Sequence, residues 1–189
     1  MTVIMTLCHI IRNNTLLLQK KSKGLFGEGK WNGAGGKLEM NESPEACVAR
    51  EVLEETGLKA SDFKFHGVLN FYFGDRNELD GVVYVFSSKV FEGEPKGGGE
   101  GKLQWFAFED IPYDEMWQDD RHWLPLLLED KSFRGNFHFG EEGKELLVLI
   151  WKAMVKLQSA LNSNEKHLFP YLHKMSGLRN GKEGCLCLH

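Results

Sequence analysis

The chain has 189 residues, 42% of them hydrophobic and 26% charged. These are ordinary values for one folded domain and exclude wholesale disorder. A net charge of −4 excludes the broad basic surface that a long nucleic acid partner calls for. Thr2–Ile11 and Thr15–Gln19 are apolar, β-branched runs joined by Arg12-Asn13-Asn14, which predicts a strand hairpin. Gly24–Gly36 is glycine-rich around Trp31-Asn32 and reads as a structured loop. Ser43-Pro44-Glu45 then opens a helix: the serine caps free amides, the proline fits the first turn and the glutamate favours the positive end. Ala46, Cys47, Ala49, Val52 and Leu53 give this helix an apolar stripe, and Gly57 ends it.

Lys64–Gly74 and Gly81–Val90 are expected as strands, Gly93–Gly101 as a glycine-rich connection and Leu103–Phe108 as a further strand. Trp123–Leu128 reads as a short helix and Phe133–Phe139 as an edge-like strand. The period of Leu146–Leu157 does not decide between strand and helix. The sum is one mixed α/β (α+β) domain over residues 1–158, with a curved sheet, and a weakly structured tail over 159–189. Cys8 and Cys47 lie in apolar runs and read as buried thiols, while Cys185 and Cys187 have no second pair at zinc spacing. This usage suggests a reducing compartment, with the cytoplasm as the default. Met1–Ile11 has no basic leader and is too short to span a bilayer, so a membrane role is not expected.

The chemistry concentrates in Gly36–Leu58. On the helix, Glu51, Glu54 and Glu55 stand at i, i+3 and i+4, so three carboxylates share one face. Alone, that arrangement reads as a solvated acidic face. It would equally suit a hard cation such as Mg²⁺, which takes oxygen ligands from a few carboxylates and from substrate phosphates. Gly36, Glu42 and Arg50 decide between these readings. The stretch reads Gly-x5-Glu-x7-Arg-Glu-apolar-x-Glu-Glu-x-Gly-apolar, filled by Gly36, Glu42, Arg50, Glu51, Val52, Glu54, Glu55, Gly57 and Leu58. Gly36 permits close backbone approach, so that its carbonyl can face a metal, and Arg50 can hold the preceding loop against the helix through carboxylates.

On these residues the chain resembles the Nudix hydrolases at every defined position of their signature. The resemblance implies an α/β/α sandwich with a mixed curved sheet and a loop–helix–loop motif. It also implies a divalent cation, Mg²⁺ with Mn²⁺ as the alternative, and hydrolysis of a nucleoside diphosphate derivative. The flanks Leu25–Lys37, Asp114–Asp120, Trp123–Leu128 and Phe133–Phe139 are similar to those of the MutT-related branch that hydrolyses oxidised purine nucleoside triphosphates such as 8-oxo-dGTP and 2-oxo-dATP. This similarity covers roughly residues 3–140.

What the resemblance implies can be placed residue by residue. Glu51, Glu54, Glu55 and Glu100 match catalytic and metal positions, joined as metal positions by Gly35 and Gly36. Asn32, Asp119 and Asp120 match base-reading residues, and Trp117 a stacking residue. Phe26, Phe71 and Phe73 match an apolar wall, and Thr6 a pocket floor. Lys21 matches a phosphate-side lysine across a nearby length change, and Gly35, Gly36 and Lys37 lie along the substrate. From the residues themselves, two adjacent buried aspartates cannot both ionise easily. One keeps a proton and stands as a donor beside an acceptor, which suits 8-oxoguanine or 2-oxoadenine.

The chain departs from that branch at Gln118 (a proline there), at Ala34 (an aromatic there), in the spacing of Arg76–Gly81, and in everything after about residue 157. These departures bear on substrate choice more than on catalysis. The expectation is therefore a monomeric enzyme with a small nucleotide substrate. The alternatives are a hydrolase for another nucleoside diphosphate derivative (a methylated or ordinary purine triphosphate, or a nucleotide sugar) and a binding module that retains the fold without catalysis.

Overall fold

The computed structural model describes residues 1–74, 78–97, 99, 101–140 and 145–154, without side chains for 148–154. Contacts divide the chain into two units, Met1–Lys156 and Leu157–His189. The expectation of a weakly structured tail falls outside the described residues, as do Arg76 and Asn77 of the departure over Arg76–Gly81.

The elements follow the sequence closely. β1 (Val3–Arg12) and β2 (Thr15–Lys21) form the hairpin, with Asn13 and Asn14 in the left-handed region that such a tight turn needs. A short β3 (Trp31–Asn32) lies inside the expected loop. α1 (Pro44–Thr56) begins where Ser43 Oγ accepts the Ala46 N–H at 3.2 Å. It ends at Gly57, whose φ of 71° lets its N–H reach the Leu53 carbonyl.

β4 (Lys59–Ser61) pairs with β7 (Val90–Glu92) in a small second sheet, so the expected strand Gly81–Val90 is in fact β6 (Gly81–Ser88) followed by β7. β5 (Lys64–Phe73) and β8 (Gly101–Ala107) complete the middle of the chain. α2 (Asp120–Leu128) starts three residues earlier than expected, so the aspartate pair lies at its head. β9 (Ser132–Phe139) and β10 (Leu146–Met154) follow, which resolves the last apolar run as strand.

The main sheet runs β10-β9-β5-β6-β1-β2-β3, with β8 on the other edge of β2. β1 is parallel to β6 and β5 is parallel to β9; the remaining pairs are antiparallel. β9 is therefore internal, flanked by β5 and β10, and not the edge its sequence suggested. Alternating aromatics at Phe133, Phe137 and Phe139 mark one buried face, and a face pattern cannot report whether both edges are paired.

Strand alternation sends successive side chains to two cores. Leu7 and Ile11 of β1 pack with Leu16, Leu18, Leu69 and Val85 beneath Trp123, Leu124 and Leu127 of α2. Cys8 and Ile10 pack with Leu17, Val68, Val82 and Phe86 beneath Val48 and Val52 of α1. Each fully buried aliphatic side chain contributes on the order of 2 kcal/mol, so the two helices are held on opposite faces chiefly by these layers. That is the sandwich expected from the resemblance. Among the described residues, no helix is long and apolar enough to cross a membrane.

β1 changes neighbour midway. Ile10–Arg12 pair with β2, but at Met5–Cys8 the place of β2 is taken by the strip after β3. There the Cys8 N–H donates to the Ala34 carbonyl at 2.7 Å, the Thr6 N–H to Gly36 at 2.9 Å, and the Leu38 N–H to Ile4 at 3.0 Å. The strip is thereby fixed between the start of α1 and the central strand.

The cap that sets the entry angle of α1 is testable by thermal melting. Ser43→Ala should cost about 1 kcal/mol and Ser43→Gly only a few tenths. Equal, negligible shifts for both would show that the cap does not anchor the helix.

Candidate active site

The three carboxylates on α1 sit in unlike surroundings. The Glu54 side chain is 58% exposed, Glu51 14% and Glu55 4%. Removing Glu55 from water costs several kcal/mol unless it is paired. Its Oε1 accepts from Lys21 Nζ at 2.5 Å and its Oε2 from the Gly35 N–H at 3.0 Å. Lys21 enters from β2 and Gly35 from the strip, so the carboxylate is clamped between two elements that the sheet brings together.

Arg50 organises the rest. Its Nε and Nη2 donate to the two oxygens of Glu42, each at 2.9 Å, a two-pronged pair that matches the planar guanidinium. Nη1 reaches Glu51 at 2.7 Å and Glu54 at 3.2 Å, and Nη2 also donates to the Lys37 carbonyl at 3.2 Å. The hydrogen bonds from Arg50 pull the Glu42 carboxyl down to about 2, and the same contacts push the guanidinium further up. The like charges at i, i+3 and i+4 are thus offset by a cation on the same helix.

Gly36 is required by the Glu51 carboxylate. A Cβ at Gly36 would lie 2.3–2.7 Å from its atoms. Two of the expected site groups have partners within the fold. The Gly36 carbonyl, expected to face a metal, accepts the Thr6 N–H, because the strip continues the sheet along β1. Thr6, expected on the pocket floor, turns its hydroxyl to Cys47 Sγ at 3.3 Å beneath α1, because even-numbered residues of this part of β1 face that helix. The Lys37 side chain is exposed. Glu100 lies outside the described residues.

Whether these residues suit a divalent cation can be tested on their geometry. Among the described residues, no three Asp, Glu, His or Cys groups converge into a ready cage. Lys21 engages Glu55, and Arg50 engages Glu51 and Glu54. The donors are nevertheless hard oxygens on one helix face, beside a backbone strip that admits no side chain at Gly36. This fits a hard divalent cation that takes one or two carboxylates and completes its shell with water and substrate phosphate.

A second cluster lies on the α2 face. Trp117 stacks on Phe26 at 5.1 Å between ring centres and meets Phe139 edge-on at 6.4 Å. Phe139 in turn packs on Phe71 and Phe73. Phe26 is 80% exposed, so the stack lies at the molecular surface.

At its foot, Asp119 and Asp120 are both buried. Asp119 Oδ2 accepts from the Trp123 indole N–H at 2.9 Å, and Asp120 Oδ2 from the Trp117 backbone N–H at 3.0 Å. Burial raises the Asp119 carboxyl to about 6. Burial, with the Asp119 charge adding to it, holds Asp120 well above the ordinary range. Asn32 sits opposite Gln19 in the β2–β3 register and accepts the Gly33 N–H at 2.9 Å. Gly33 abuts the His9 ring, which lies 5.6 Å from Trp123. His9 is wholly buried and stays neutral, its value lowered to about 3 by burial and by the charge of His66.

The structure therefore brings Phe26, Phe71, Phe73, Trp117, Asp119 and Asp120 into one neighbourhood, and Lys21, Gly35, Glu51, Glu54 and Glu55 into another. Sequence reasoning missed Phe139, His9 and Lys30. Lys30 Nζ donates to the Met116 carbonyl at 3.0 Å and stands 5.1 Å from the Trp117 ring centre. A basic residue directly before the Trp31-Asn32 pair was the available signal.

Comparison with known proteins shows the family. A family model described as the NUDIX domain matches residues 3–127. The oxidized purine nucleoside triphosphate hydrolase of Danio rerio is 39% identical over 145 residues, spanning 77% of this chain and 90% of that protein. The 8-oxo-dGTP diphosphatase of Escherichia coli is 30% identical over 109 residues, 57% of this chain and 82% of that one. The crystal structure of a MutT protein from Bacillus halodurans superposes with a TM-score of 0.71 at 27% identity, covering 79% of this chain and 97% of that one.

The Arg50 clamp carries a pH dependence with a definite sign. The folded Glu42 value is depressed from 4.5 to about 2. Its contribution to stability is therefore full above the ordinary value and is lost as pH falls through about 2. Arg50→Met should lower the melting temperature at pH 7 and lower it much less at pH 3. An equal loss at both pH values would remove the Glu42–Arg50 pair as the cause.

Proposed function

The chain belongs to the NUDIX family of hydrolases, and on that premise we propose that it converts oxidised purine nucleoside triphosphates, 8-oxo-dGTP and 2-oxo-dATP, to the monophosphate and pyrophosphate. The observation that carries the substrate class is the adjacent buried pair Asp119–Asp120 at the foot of the Trp117 and Phe26 rings. One member protonated and one ionised gives a donor beside an acceptor, the pattern a purine edge presents in reverse. The aromatic rings supply the flat apolar contact. The names of the Danio rerio and Escherichia coli relatives point the same way.

Mg²⁺, or Mn²⁺ in its place, supplies charge on the phosphate oxygens and a bound water of lowered pKa when present. Glu51, Glu54 and Glu55 are the carboxylates that would hold it. Arg50 fixes the rotamers of the first two through direct contacts, and the Gly35 N–H fixes Glu55. Lys21, which donates to Glu55 Oε1, would hold a phosphate oxygen beside that carboxylate. The base is held on the α2 face, and the strip from Asn32 to Lys37 links that pocket to the carboxylates. The buried, unpaired thiols Cys8 and Cys47 support a reducing compartment such as the cytoplasm.

Two measurements test the reading. Glu55→Gln should keep the fold and lose most pyrophosphate release, since one lost anionic ligand removes several kcal/mol of transition-state stabilisation; near-normal turnover would overturn the metal assignment. Against a panel of 8-oxo-dGTP, 2-oxo-dATP, O6-methyl-dGTP, dGTP and ADP-ribose, the oxidised purines should be preferred. A buried group left unpaired by dGTP costs about 1–3 kcal/mol, roughly a tenfold to hundredfold effect on specificity. Asp119→Ala should flatten that ratio, and equal cleavage of dGTP and 8-oxo-dGTP by the unmodified enzyme would overturn the substrate assignment.

A further inference from the structure

His9 of β1 is an expensive residue for a core. It is wholly buried, and neither ring nitrogen has a hydrogen-bond partner among the described residues. Burial keeps the imidazole neutral, so it carries one donor and one acceptor. Leaving both unpaired in the interior destabilises the fold, and a leucine of similar volume would fill the space without that loss.

The polar groups beside it are already engaged. In the β1–β6 register His9 stands opposite Ser87, whose Oγ shares a hydrogen bond with His66 Nε2 at 2.8 Å. The Trp123 ring lies 5.6 Å away, tilted by 42°, and its indole N–H is given to Asp119. Gly33 lies against the edge of the imidazole, where an added Cβ would stand 2.9 Å from both Nδ1 and Cε1. The Gly33 N–H is given to Asn32 Oδ1. Within the fold, His9 therefore contributes contact through a flat ring.

Those two contacts fall on the supports of two proposed base-reading groups. From α2, the Trp123 indole holds Asp119 Oδ2 at 2.9 Å. From the strip, the Gly33 amide holds Asn32 Oδ1 at 2.9 Å. Gly33 is also pressed on the backbone of β1, since the same added Cβ would lie 2.5 Å from the Cys8 carbonyl oxygen. A thicker side chain at position 9 would therefore push the strip outward or tilt Trp123, because a packed site has no slack to absorb it.

We propose that His9 is a positioning residue for base specificity: its imidazole, set between Gly33 and Trp123, fixes the spacing between Asn32 on the strip and Asp119 on α2. A flat ring met edge-on lets Gly33 approach closely, which branched methyls do not. The inference rests on the proposed purine substrate.

The test uses the full chain with two variants. His9→Leu removes both nitrogens and puts a branched side chain of similar volume in place of the flat ring; His9→Ala leaves a cavity. Melting temperatures report the packing: His9→Leu should melt at or above the wild-type temperature and His9→Ala below it. If His9→Leu does not fold, His9→Asn, which is smaller and planar, takes its place with the same kinetic expectations. Steady-state kinetics on 8-oxo-dGTP and dGTP with Mg²⁺ report the positioning. His9→Leu should raise KM for 8-oxo-dGTP on the order of tenfold, move kcat less, and reduce the preference over dGTP, because a small misplacement of a reading group is costly.

A His9→Leu enzyme with wild-type KM and an unchanged preference would overturn the inference and leave His9 as core filling. An equal rise in KM for both nucleotides, with the preference kept, would overturn it too. A wild-type enzyme without preference for the oxidised base, in which His9→Leu still changes the KM ratio of the two nucleotides, would overturn the substrate reading and leave the positioning role supported.

Discussion

The structure depends on β1 parting from β2. If the hairpin stayed paired along its whole length, the middle of β1 would be closed on that side. Because pairing with β2 stops at Ile10, the strip Gly33–Leu38 hydrogen-bonds to β1 in its place. A strip held by backbone amides is rigid, and its small residues let other groups come close. Gly35 meets Thr6 so closely that an added Cβ would lie 2.1 Å from its carbonyl oxygen, and Gly36 meets Glu51. The same strip begins at Asn32 on one side of the sandwich and ends against Arg50 on the other. One stretch of backbone thus links the Trp117–Asp120 cluster at the head of α2 with the carboxylates on α1.

Electrostatics at the two ends follow the same logic with opposite needs. On α1, three glutamates at helical spacing would repel, and Arg50 and Lys21 offset them directly. The resulting contacts also orient the oxygens. At the head of α2 the carboxyls are buried, and burial itself keeps protons on them. There the Trp123 indole and the Trp117 amide donate to the two carboxyls.

Much of this was legible in the sequence. The Ser43 cap, Pro44, the Gly57 stop and the acidic spacing are local signals, and each appears in the structure as read. The two-face alternation of β1 and β2 is likewise a local pattern. What could not be read depends on partners distant in the chain. The internal place of β9 follows from β10 pairing beside it, and the orientation of Thr6 follows from which strand face α1 covers. The turn of the Gly36 carbonyl toward Thr6 likewise depends on a pairing across some thirty residues of chain. Lys30 and His9 were passed over because their significance lies in what surrounds them, not in their spacing.

The central claim is that base recognition and the metal-binding carboxylates occupy separate faces joined by one strip. Equilibrium binding of 8-oxo-dGMP, measured by titration calorimetry in EDTA and again in Mg²⁺, tests it most directly. The monophosphate product keeps the oxidised base and lacks the phosphate chain that a cation would bridge. The account predicts closely similar dissociation constants in the two conditions, and the same constant for Glu55→Gln. Binding that vanishes in EDTA or in Glu55→Gln would contradict it, because the base pocket would then exist only when the carboxylate face is loaded.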